Sequence, residues 1–112
     1  MKVTVDIDPG ICNFVTTVYA TTNDSMHVEI QIVSECQSIL ELAKSLKDKM
    51  PIDAYQELSP KESAILETGR KILVSKGCCE ACVVPAGICK AVQVAANLAL
   101  PKDVAIKIQK EG

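Results

Sequence analysis

The sequence predicts an α+β fold: a four-stranded mixed sheet, in the order β-β-β-α-α-α-β, with its helices packed on one face. Three observations carry this expectation. The first third of the chain alternates apolar and polar residues in short runs separated by turn residues, which suits an antiparallel meander. The middle and later parts place apolar residues at helical spacing, punctuated by capping residues, Pro and Gly. The last residues return to alternation. The length of 112 residues suits a single domain spanning 1–112.

The first strand holds Val3, Val5 and Ile7 on one side and Lys2, Thr4 and Asp6 on the other. Pro9-Gly10 ends it, because Pro fixes φ and Gly takes turn geometry. Ile11-Cys12-Asn13 connects it to a second strand, about Phe14 to Thr21, rich in Val, Thr and Tyr. Thr22-Asn23-Asp24-Ser25 is a polar turn. The third strand puts Met26, Val28, Ile30 and Ile32 on one face and His27, Glu29 and Gln31 on the other.

Ser34 with Gln37 has capping-box spacing, and opens a helix to about Lys49. Its apolar stripe is Cys36, Ile39, Leu40, Ala43, Leu46 and Met50, and Lys44, Lys47 and Lys49 suit its C-terminal dipole. Pro51 closes it, and 52–58 reads as a loop or short helical turn. Ser59-Pro60-Lys61-Glu62 predicts a second helix start with Pro at the first helical position. Gly69 is a weak point or a close-packing site within that helix, and Lys76-Gly77 ends it. Pro85 opens a third helix to about Leu100, apolar nearly all round and so central. Val104, Ile106 and Ile108 then form a last strand.

Bulk properties narrow the function. The chain is 48% hydrophobic with three aromatic residues, so its core must be mostly aliphatic. The net charge is -2 and the Lys and Arg residues are scattered, which argues against nucleic-acid and membrane-surface binding. No apolar run approaches the roughly 20 residues of a membrane span. Residues 1–8 read as a strand rather than a signal peptide, because Asp6 and Asp8 interrupt the apolar positions. A cytoplasmic location follows as an expectation. In that reducing setting, six cysteines favour metal or redox chemistry over structural disulfides.

Three cysteines fall in the five residues Cys78-Cys79-Glu80-Ala81-Cys82. The Cys79–Cys82 spacing suits bidentate metal binding or a redox pair. Cys78 is read as the spare of two adjacent thiols. Following the strands and helices up and down brings Cys12, Cys36 and the 78–82 loop to one end of the sheet, provided that 52–58 does not reroute the second helix. Cys36 at one helix start and Cys82 before another sit where the dipole favours a thiolate. Cys36 also lies on an apolar stripe, so core packing competes with ligation there. Cys89 is two turns into the buried helix and reads as core. His27, Glu35 and Glu80 read as solvated. No catalytic triad, phosphate loop or carboxylate pair is present, so an enzyme is not the favoured reading.

The segment from Ala81-Cys82-Val83-Val84-Pro85 through Lys102-Asp103-Val104, with Ser34-Glu35-Cys36 and Gly10-Ile11-Cys12, resembles a small family of uncharacterised domains from methanogens and other anaerobes. The resemblance implies a context, an anaerobic cytoplasm where iron–sulfur chemistry is common, and no ligand. The expected function is a small metal-binding protein with Cys12, Cys36, Cys79 and Cys82 as thiolate ligands. An iron–sulfur cluster is preferred to zinc because the ligands come from separated segments. Electron transfer, cluster carriage or sensing with a protein redox or cluster partner would follow. The alternatives are a thiol–disulfide protein using Cys79 and Cys82, and a metal-free interaction domain. An uncovered apolar sheet face could support a homodimer.

Overall fold

The computed structural model describes residues 1–76 and 81–112. Its architecture is α+β, with one four-stranded sheet and three α-helices among the described residues. Strands β1 (Lys2–Ile7), β2 (Thr16–Thr22) and β3 (His27–Ser34) form the meander that the alternation predicts. A two-residue β4 (Ile52–Asp53) completes the order β1-β2-β3-β4, every neighbour antiparallel. Register follows the hydrophobic pattern, since a slip by one residue would turn every side chain to the other face. Val3, Val5 and Ile7 stand opposite Ala20, Val18 and Thr16. These in turn face Ile30, Ile32 and Ser34. Thr16 is the buried polar member of this row, and its hydroxyl donates to Ser34 Oγ at 2.9 Å.

Helix α1 (Gln37–Lys47) packs on β3, and α3 (Val84–Ala95) packs on β1 and β2. Helix α2 (Ala64–Lys76) lies against both. The core is aliphatic: Val18, Val28, Ile39, Leu42, Leu46, Ile65, Ile88 and Val92 are fully buried. Each such side chain contributes about 1.5–3 kcal/mol. Gly69 is a close-packing site, because a Cβ there would lie 3.2 Å from Pro85 Cγ.

The path after α1 is settled by β4. It pairs Ile52 with Val28 and Asp53 with His27, at the start of β3. The Ala54 amide also donates to Met26 O at 2.9 Å. The chain is thus anchored at the end of the sheet opposite Ser34 before α2 begins. Helix α2 then runs back toward the end from which α1 and α3 start.

Four expectations are corrected. The sheet is wholly antiparallel rather than mixed, and its fourth strand is 52–53, not 104–108. Val104, Ile106 and Ile108 are exposed and unpaired among the described residues. Alternation records that a segment can be a strand, but the partner edge must come from elsewhere. Helix α1 starts at Gln37 rather than after Ser34, because Ser34 is held in the sheet by its pairing with Thr16. Helix α2 starts at Ala64, not at Pro60, because its cap comes from outside the capping box. Ser63 Oγ donates to Glu57 Oε1 at 2.6 Å, and Glu57 accepts the amides of Ala64 and Ile65 at 2.7 and 3.1 Å. Helix α3 ends at Ala95 rather than Leu100. Asn97 adopts φ 62°, the Asn97 amide donates to Val94 O, and the Leu98 amide donates to Gln93 O at 2.8 Å. That is a Schellman stop with Asn in place of Gly.

Candidate thiolate site

One end of the sheet collects the finish of β1, the start of β2, the finish of β3, and the starts of α1 and α3. Pairing fixes this: Ile7 faces Thr16, and Thr16 faces Ser34. Helix α3 reaches the same place because Gly87 sits on Ile7, so tightly that a Cβ would run into the Ile7 side chain. A glycine is required there for the helix to approach the strand.

Three thiols arrive with these elements. Cys12 is exposed in the β1–β2 connection, a turn shaped by positive φ at Gly10 and Asn13 and by the Asn13 amide donating to Gly10 O at 3.0 Å. Cys36 is half-buried at the N-cap of α1 and makes no side-chain capping bond. Cys82 is half-buried two residues before the start of α3. Cys82 lies close enough to the other two to feel their charge. Burial pushes the Cys82 thiol above its ordinary range, a hydrogen bond with the Val84 backbone opposes the push, and Cys36 and then Cys12 add to it. The dipole argument from sequence expected the helix start to favour a Cys82 thiolate. Here desolvation wins, because a half-buried charge loses more solvation than one backbone N–H returns.

Cys79, like Cys78 and Glu80, lies outside the described residues. Among the described residues, no group of three or more His, Cys, Asp or Glu side chains is arranged to hold a metal ion. The remaining thiol, Cys89, is buried in α3 with Sγ 3.9 Å from Ser63 Oγ. Desolvation raises it to about 11, so it is a protonated core group at neutral pH. His27 is exposed and far from the thiols, at the β2–β3 turn, where Nδ1 lies 2.8 Å from Asp24 Oδ2. Glu35 is exposed.

Sequence reasoning passed over Glu57, a buried carboxylate. Its role is to cap α2 rather than to do chemistry, and its partners lie six to eight residues away, beyond any local capping pattern. No helix among the described residues is long and apolar enough to cross a membrane.

A protein-family model described as a family of unknown function (DUF6951) matches residues 3–108. No curated protein and no solved structure matches the chain.

Proposed function

The chain belongs to the DUF6951 family of unknown function, and on that premise we propose that it is a small cytoplasmic metal-binding protein with a thiolate site. The ligands are Cys12, Cys36 and Cys82 together with Cys79. One observation supports this most: three thiols from distant parts of the chain lie at the same end of the sheet, and Cys82 is near enough to Cys36 and Cys12 to feel their charge. Repulsion of a Cys82 thiolate by the other two is of the kind that a bound cation removes. Four thiolates suit an iron–sulfur cluster, and the anaerobic setting implied by the family resemblance favours one over zinc. The role is electron transfer, cluster carriage or sensing with a protein partner, rather than catalysis.

The thiols must close to about 2.3 Å from the metal, with the 77–80 segment supplying the fourth. Protein purified without oxygen or chelator should be brown and contain iron and sulfide. Cys12→Ser and Cys36→Ser should each lose the metal, and Cys89→Ser should keep it. Metal retained by both of the first two variants would sink the four-ligand assignment. A colourless protein with one zinc per chain would transfer the site to structural zinc. With no metal bound, the surviving readings would be a Cys79–Cys82 disulfide couple or a metal-free interaction domain. Burial of the Cys82 thiol weakens it as the attacking group, since the thiolate is the nucleophile.

A further inference from the structure

The C-terminal segment and the edge of the sheet each lack what the other offers. Beyond Pro101 no residue belongs to a helix or strand, and all of 101–112 is exposed. Val104, Ile106 and Ile108 are 64, 68 and 91% exposed although they alternate as a strand would. Twelve extended residues reach roughly 40 Å. The molecule measures 50 × 29 × 26 Å, so the segment projects from the body as an arm. The matched family region runs to residue 108 and so takes in this apolar part of the arm.

The acceptor is β1. It is an edge strand, and among the described residues only β2 pairs with it. Met1 and Thr22 exchange hydrogen bonds across the ladder, at 2.9 and 3.1 Å. Antiparallel ladders alternate, so Val3, Val5 and Ile7 spend their backbone groups on β2, while those of Lys2, Thr4 and Asp6 point to the open edge. The inward side chains of Val3 and Val5 remain half-buried, against buried Val18 and Ala20 one strand in. The apolar row is short by one strand.

We propose that the arm of one copy adds to the β1 edge of a second copy, and the second arm returns the contact, giving an exchanged-arm dimer. Charge selects the orientation. Aligned parallel, with Val104, Ile106 and Ile108 beside Val3, Val5 and Ile7, the outward residues meet as Asp103 with Lys2 and Lys107 with Asp6. Aligned antiparallel over the same residues, Lys107 falls opposite Thr4 and Asp103 opposite Asp8, so both ion pairs are lost. Like charges opposite one another destabilise a pair of strands. Exchange is favoured over closure onto the same chain by how the arm leaves. Helix α3 runs toward the start of β1, so a parallel strand in the same chain must reverse within the residues after Asn97. The arm does not make that return here: residues 101–112 are exposed and pair with no described residue of their own chain. A strand-like arm without a partner in its own chain is free to pair with a second copy, and a two-fold arrangement makes the contact reciprocal. The cleft of about 580 Å³ between Met1, Val3, Val94, Leu98 and Leu100 marks where the arm departs.

The test is light scattering on a sizing column, with backbone circular dichroism to report folding. The full chain should run at twice the 12.0 kDa of one chain. Ile106→Lys should shift it to the single-chain mass. So should Thr4→Pro, which removes an amide facing the open edge and is tolerated on an edge strand. Both variants should keep the parent dichroism. A full chain of single-chain mass, including one with a protected Ile106 amide from pairing within its own sheet, would overturn the proposal. So would a dimer that survives both substitutions.

Discussion

The start of α2 and the starts of α1 and α3 are opposite solutions to one problem. Every helix opens with amide N–H groups that lack intrahelical partners. At α2 the need is met from within, by the buried Glu57 carboxylate and the Ser63 hydroxyl, which also accepts the Leu66 amide at 3.0 Å. At α1 and α3 the N-cap residues are Cys36 and Val83, and neither makes a side-chain capping bond. The uncapped starts are the ones that lie at the cysteine end of the sheet. Ser, Thr, Asp or Asn would cap better at both positions. Cysteine at the α1 N-cap therefore gives up local helix stability, a loss that the proposed thiolate site would offset.

Breaking the finished cap should give the largest effect. Glu57→Ala removes an acceptor of three hydrogen bonds, two of them buried, and unfolding in urea should show a loss of about 2–4 kcal/mol. A loss under 0.5 kcal/mol would mean that α2 is not held this way. Next is the junction that brings α3 to the cysteine end. Gly87→Ala forces a methyl against Ile7 and should cost about 1–3 kcal/mol. Ile7→Ala in the same chain should recover part of that loss, and additive losses would break the assignment.

The third change reverses sign. In metal-free protein Cys36→Ser should raise stability by about 0.5–1 kcal/mol, because a good N-cap replaces a poor one. The same variant should lose bound metal. Destabilisation of the metal-free form would instead make Cys36 a packing residue.

The smallest effect belongs to the exposed pair at the far end. The hydrogen bond from His27 holds the Asp24 carboxyl well below its ordinary range, and Asp24 raises His27 above its ordinary 6.5. The His27 contribution is complete below pH 6.5 and fades as pH rises through the raised value. The Asp24 contribution is complete above 3.8, its ordinary value, and fades as pH falls through the lowered one. Proton NMR of the single histidine should titrate above 6.5, and Asp24→Asn should return it toward that value.

Much of this was legible from residue patterns. Three strands, their faces and the three helices follow from periods of two and 3.6. The placement of the segments that carry Cys12, Cys36 and Cys82 at one end of the sheet follows from counting the chain up and down. What escaped was set by partners at a distance. Ile52–Asp53 is too short to announce a strand and exists because Val28 and His27 offer an edge. The α2 start depends on Glu57 reaching forward six to eight residues. The α3 end depends on Asn97 accepting a left-handed backbone, which a helix-long apolar run conceals. Val104 to Ile108 kept the pattern of a strand and pairs with no edge among the described residues.

The contact of Gly87 with Ile7 also orders events in time. It joins the last helix to the first strand, the two elements farthest apart in the sequence. The meander can form from neighbouring segments, whereas this junction must wait for the longest loop in the chain to close. Cys82 arrives only then. Gly87→Ala should accordingly speed unfolding and leave refolding nearly unchanged, and a metal that needs Cys82 would be captured at the last stage of folding.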